Sequence, residues 1–276
     1  VIRNRFLHIL FRLVLAILWS SGGFAQDGKR MPSLQEIIPE EDSLLVPLNR
    51  DVTNQAFRVG EYLKFVVRFG PIHAGFGYLE IPEMVEVNGR KCYHVVSRAE
   101  SNDFFSTFYK VRDRAESWID SIGLFTWRFE KHLREGKYRA DVIEVFDQVK
   151  GIVYTRKDTV RVPPFAQDVL SALYFVRTQE LKVGASIRIA NFSDGKNYPL
   201  EVKVLRKETV RTRAGKFDCV VVEPILKSTG IFKHKGRITV YLTDDAYKMP
   251  VLMKTKIPVG SIIAELIEYR GVGQEQ

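Results

Sequence analysis

Asp168, Ser171, Tyr174 and Arg177 are the polar-capable members of one otherwise apolar stretch, DVLSALYFVRTQEL over residues 168–181. Leu170, Leu173, Tyr174 and Arg177 follow the i, i+3, i+4, i+7 spacing that places side chains on one helical face. An arginine in such company must pair with a carboxylate, extend to water, or meet the anionic group of a ligand. The first two outcomes are structural. The third makes Tyr174 and Arg177, with Asp168 and Ser171, the candidate contacts for an apolar or amphiphilic ligand, near the mouth of its site. Asp244-Asp245 is the most conspicuous acidic pair, with Asp120 as its counterpart earlier in the chain. Paired carboxylates can perform acid–base chemistry or hold calcium. Between two strands, though, aspartates ordinarily bond the backbone of their own turn.

His73, His94, His132 and His234 form no HxH, HExxH or HxxxH pair, and the two cysteines have no metal-ligand spacing. The sequence contains no GxSxG and no GxxxxGK[ST]; Gly75-Phe76-Gly77 lacks the third glycine of a dinucleotide loop. The expectation is therefore a non-enzymatic protein with no metal and no cofactor. Two alternatives stand beside it: a scaffold that binds an envelope protein, and a hydrolase whose site assembles from Asp120, Asp244 or a histidine.

The elements that must position these residues are mostly strands. Glu61 to Phe69 alternates Leu63, Phe65, Val67 and Phe69 with Lys64 and Arg68, the period of a half-buried strand. Asn88-Gly89 marks a hairpin between Gly75–Val87 and Arg90–Ser101, because both residues tolerate positive φ. Further strands are expected over 110–120, 124–134, 138–147 and 152–162, and, after the helix, over 186–192, 198–212, 217–224, 237–243, 251–257 and 261–269. Asp168 can cap the helix by accepting amide hydrogens of its first turn. Three segments before the helix resemble three after it, in the same order: Val59–Leu63 and Val183–Ile187, Arg90–Val96 and Lys216–Val222, Trp118–Lys131 and Tyr241–Lys254. This suggests two related halves, 59–162 and 183–269, joined through helix 168–181. The fold class expected is mainly β: a curved antiparallel sheet or half-open barrel with one central buried helix.

At the N-terminus, Arg3 and Arg5 precede an apolar run from Phe6 to Trp19 and a small-residue stretch ending Gly23-Phe24-Ala25, which reads as a secretory signal peptide over residues 1–25. An extended arm is expected over 26–57, a β domain over 58–270 and a tail over 271–276. The protein would then be periplasmic or otherwise exported, and soluble. The chain carries 42 basic and 33 acidic residues, net +9; Arg3, Arg5 and Arg12 would leave with the leader, making the balance 39 to 33, or +6. Arg112, Arg114, Arg128, Lys131 and Arg139 are spread along strands, which fits solvated sheet faces and not nucleic-acid binding. Weak contact with an anionic membrane surface remains open, as does a bridge between Cys92 and Cys219.

The run Asp168–Arg177, then Gly184, Gly215–Cys219, Tyr241–Asp245 and Pro250, with the opening Gly60–Leu63 and Gly75, resembles the exported bacterial family catalogued as domain of unknown function 3108. The resemblance covers about Val59 to Tyr269. Tyr241 stands where that family usually has tryptophan. Membership implies export and a β architecture and assigns no catalytic residues. In outline the expected sheet is similar to the curved sheets of periplasmic lipoprotein carriers, an analogy of fold alone; it is the apolar helix inside the sheet that makes a lipid or other amphiphile the expected partner.

Overall fold

The computed structural model describes residues 47–226, 237–257 and 260–273. The expected leader, most of the expected arm, His234 and the end of the tail lie outside the described residues. The first run of strands is β1 (Tyr62–Phe69), β2 (Ile72–Val87), β3 (Arg90–Ser101), β4 (Arg112–Asp120), β5 (Thr126–Glu135), β6 (Tyr138–Asp147), β7 (Ile152–Tyr154) and β8 (Thr159–Arg161). A short helix α1 (Asp103–Ser106) connects β3 to β4, and α2 (Val169–Thr178) follows β8. The second run is β9 (Ser186–Ile189), the small hairpin β10 (Phe192–Ser193) and β11 (Lys196–Asn197), then β12 (Leu200–Thr212), β13 (Gly215–Leu226), β14 (Ile238–Thr243), β15 (Pro250–Ile257) and β16 (Gly260–Arg270).

Fourteen of these strands form one sheet in the order β8-β7-β6-β5-β4-β3-β2-β1-β16-β15-β14-β13-β12-β9. β1 pairs antiparallel with β16, so the two runs meet at the centre of the sheet and β8 and β9 are left as its edges. The sheet is not closed by hydrogen bonds. It must nevertheless curl. The two ends of α2 touch β5, through Thr126, and the β14–β15 turn, through Tyr247. β5 and β14 are seven places apart in the sheet, roughly 34 Å if it were flat, whereas a ten-residue helix is only about 15 Å long. Across the open seam, Asn197 on β11 donates to the carbonyl of Arg161 on β8 at 2.7 Å.

Local chemistry explains most element boundaries. Asn88 (φ 51°) and Gly89 (φ 71°) make the tight turn between β2 and β3. Gly75 is required by proximity: a Cβ there would lie 2.0 Å from the Glu100 carbonyl oxygen on β3. The single strand expected over 152–162 is two short ones, because the Thr155 hydroxyl accepts the N–H groups of Lys157 and Asp158 and folds the chain into a turn. α2 ends at Thr178 and not at Leu181, with Gln179 already extended.

Alternate residues of the strands point into the curl, where Leu63, Phe65, Val95, Ile119, Phe129, Phe146 and Leu170 are buried. The outward residues of β2 to β6 form ion pairs, Arg98–Glu80 and Arg134–Asp141 across neighbouring strands and Arg128–Glu130 along β5. Lys131 departs from the expected solvated face: it is buried and pairs with Asp194 at 2.6 Å. Cys92 and Cys219 are buried free thiols, each held by a bond to the carbonyl two residues earlier.

Candidate functional site

Helix α2 is fixed in the curl by a polar network at each end. At its start the Asp168 carboxylate accepts from the N–H groups of Leu170 (2.7 Å) and Ser171 (3.0 Å), as expected of a cap. Its other oxygen accepts from the hydroxyls of Ser117 on β4 (2.5 Å) and Thr126 on β5 (2.7 Å). The Ser171 hydroxyl lies 2.7 Å from that of Thr126 and 3.1 Å from the Asp168 carbonyl, to which it donates. Burial pushes the Asp168 carboxyl pKa up against the hydroxyl and N–H donors that favour its charge.

At the far end, Arg177 and Glu61 form a two-toothed pair: Nη1 donates to Oε1 and Nη2 to Oε2, both at 2.7 Å, with neither side chain exposed. Tyr174 donates its hydroxyl to Glu61 Oε1 at 3.0 Å. Two further guanidinium donors go to the carbonyls of Ala56 (3.1 Å) and Tyr247 (3.2 Å). Burial alone would lower the Arg177 pKa, but the Glu61 carboxylate beside it raises it; burial next to Glu61 drives the Tyr174 phenol well above its usual value. The arm residue Phe57 packs edge-on to Tyr174 with centroids 4.8 Å apart. Arg50 lies over the rings of Phe165 and Phe175, and burial lowers its pKa to about 10.

The structure thus brings Asp168 and Ser171 together at one end of α2 and Tyr174 and Arg177 at the other. All four are buried, with their polar atoms joined to the chain's own groups, so Tyr174 and Arg177 do not stand at a mouth. The apolar residues of α2 that remain partly open are Val169, Leu173 and Phe175. Val169 and Leu173 share one face, four residues apart. The edge strands contribute Val160 (β8) and Ile187 (β9), likewise packed on the core but only partly covered.

A second polar group lies where β5 and β6 meet the β10–β11 hairpin. Glu144 accepts the Gly195 N–H at 3.0 Å beside the Lys131–Asp194 pair, and burial raises its pKa to about 7. Neither Glu61 nor Glu144 was singled out by residue type. Glu61 stands in the Gly60-Glu61-Tyr62-Leu63 opening, and its value as a partner depends on a contact across 116 residues.

The acidic residues weighed for hydrolysis are engaged in turns and ion pairs. Asp120 accepts from Ile122 N, Gly123 N and Trp127 Nε1 and pairs with Arg90; these contacts outweigh burial and lower its pKa. Asp245 accepts from the N–H groups of Tyr247 and Lys248, while Asp244 pairs with Lys207. His94 stacks on Trp118 between Glu116 and Glu83, and its bond to Glu116 leads the rise in its pKa. His132 bridges Asp141 and Glu130. Among the described residues no group of three His, Cys, Asp or Glu is placed to hold a metal ion.

A family model described as "Protein of unknown function (DUF3108)" matches residues 64–267, most of the chain and all of the sheet except the paired ends of β1 and β16. The chain belongs to the DUF3108 family. No curated protein matches it. Among solved structures, this DUF3108 chain is similar to a beta-barrel-like protein of the DUF1849 family from Brucella abortus, at TM-score 0.53 and 9% identity over 79% of this chain and 100% of that one. A hypothetical protein from Chlamydia trachomatis aligns at TM-score 0.36 and 10% identity, over 88% of this chain and 95% of that one. The Brucella comparison shows the shared fold. No helix among the described residues of this DUF3108 protein is long and apolar enough to cross a membrane.

Proposed function

We propose that this protein is an exported, non-enzymatic envelope protein that holds the apolar portion of an amphiphile along the seam between β8 and β9. The observation that carries the reading is the incomplete closure of the sheet. Its two edges are joined in sequence through α2, and partly covered apolar side chains line all three elements: Val160 on β8, Val169 and Leu173 on α2, and Ile187 on β9. An acyl chain laid there would remove further apolar surface from water at about 25 cal/mol per Å². Asp168, Ser171, Tyr174 and Arg177 serve the ligand indirectly, by fixing the helix that forms the floor. The leader-like N-terminus supports export. A scaffold that recruits partners by adding strands is less well supported, since the edge strands are only three and four residues long and offer little backbone to extend.

Titration with a fluorescent fatty acid tests the reading. The native protein should enhance and blue-shift its emission, a double variant Val169→Asp, Leu173→Lys should not, and an unchanged response in that variant would refute the seam as the site.

A further inference from the structure

The end of the sheet opposite α2 carries the two most exposed large apolar side chains of the described residues. Phe104 (67% exposed) and Phe108 (66%) lie in the β3–β4 connection, with ring centroids 5.5 Å apart. Their exposure is built in. Asn102 caps α1 by accepting the Phe105 N–H, and the turn this sets up sends Phe105 and Tyr109 into the core while Phe104 and Phe108 face out. The same Asn102 donates to the His73 carbonyl, which ties the loop to the β1–β2 hairpin where Ile72 is 48% exposed. On the other side, the Lys110 carbonyl accepts the Gly136 N–H, which brings the β5–β6 turn alongside. The exposed charged residues of this rim are Lys110, Arg112, Lys137 and Arg139 against Asp103. Arg112 has Glu100 3.8 Å away, while no ion pair engages Lys110 or Lys137 among the described residues.

We propose that this rim is an interfacial wedge that seats the protein on an anionic bilayer surface, with Phe104, Phe108 and Ile72 entering the headgroup region and Lys110, Lys137 and Arg139 meeting lipid phosphates. Exposed aromatic side chains surrounded by basic ones are the combination that such a surface rewards, through apolar burial plus attraction of about 1 kcal/mol per basic residue. A second copy of the chain fits less well, because a two-fold contact through this rim would set like charges against one another. The wedge is at the opposite end of the curl from α2 and does not depend on the seam holding a ligand.

Flotation of the exported protein, without residues 1–25, with vesicles of phosphatidylethanolamine and phosphatidylglycerol tests it, compared with neutral phosphatidylcholine vesicles. Native protein should float with the anionic vesicles only, and raised salt should weaken the association. The double variant Phe104→Ser, Phe108→Ser should lose affinity about a hundredfold, from two apolar side chains no longer buried. Lys110→Glu with Lys137→Glu should lose at least about tenfold. Ile122→Ser, at an exposed turn near α2, is the control that should float like the native chain. Circular dichroism of each variant verifies folding, which these exposed positions should not disturb. The wedge is refuted if native protein fails to float, if the phenylalanine variant floats as well as native, or if sedimentation shows a dimer that the same variant dissociates.

Discussion

Glu61 and Arg177 are separated by 116 residues and form a fully buried two-toothed pair that joins the start of the central strand β1 to the last turn of α2. Removing one partner leaves an uncompensated charge where no water reaches. Arg177→Ala or Glu61→Ala should each destabilise by about 3–5 kcal/mol. Replacing the group together, as Glu61→Leu, Tyr174→Phe and Arg177→Met, should recover most of that loss, since apolar side chains of similar volume avoid the desolvation cost. Urea unfolding of the three variants measures both effects. A single substitution costing under about 1 kcal/mol would mean that the pair does not anchor the helix.

Asp168 caps α2 and also gathers the Ser117 and Thr126 hydroxyls, so Asp168→Ala removes more than a helix cap. A cap alone is worth about 1 kcal/mol, and each buried donor left without a partner adds about 1–3 kcal/mol. Asp168→Asn retains an acceptor for the Leu170 and Ser171 N–H groups and should cost less than the alanine. Equal losses for the two variants, measured by the same unfolding experiment, would contradict the assigned role of the cap.

Glu144 gives stability a specific dependence on pH. Its carboxyl titrates near 4.5 when unfolded and is raised to about 7 in the fold, chiefly by burial, with Asp194 adding to the rise and Gly195 N–H and Lys131 opposing it. Between those values the folded chain holds a proton that the unfolded chain has released, so the contribution of this group falls as pH rises from about 4.5 to about 7. Asp113, raised from 3.8 to about 7, also chiefly by burial, acts in the same direction. Glu144→Gln should therefore flatten the decline and gain stability at pH 8 relative to native protein. A variant whose stability falls as steeply as the native chain over this window would sink the assignment.

Cys92 and Cys219 are buried, and burial raises both thiols to about 12. Thiolate is the reactive form, so neither should react with an alkylating reagent at neutral pH in the folded protein. Both should react on unfolding without reductant. Failure of the unfolded, unreduced chain to label would reveal a disulfide.

The sequence made the local architecture readable because local signals determine it. Leu63, Phe65 and Val67 alternate as a strand must, Asn88-Gly89 supplies the two positive φ values of its turn, and Asp168 stands where a helix needs an acceptor. The fate of Arg177 was readable as a set of alternatives, but the choice among them required Glu61, which becomes a neighbour only when β1 pairs with β16 and the sheet wraps α2. For the same reason nothing in its type or spacing marked Lys131 as buried: its place among basic strand residues resembled that of Arg128, and its partner Asp194 arrives on a hairpin more than sixty residues later. The break in 152–162 is not legible in the sequence, because Thr155 has strand propensity and its turn depends on where its hydroxyl points.

The central claim, an amphiphile held along the β8–β9 seam, is tested most directly by native mass spectrometry of the protein purified from its own envelope. The account predicts an added mass that dissociates as a lipid or other acyl-chain amphiphile and is absent from the Val169→Asp, Leu173→Lys variant. The bare polypeptide mass for the native protein, or the same added mass retained by the variant, would contradict it.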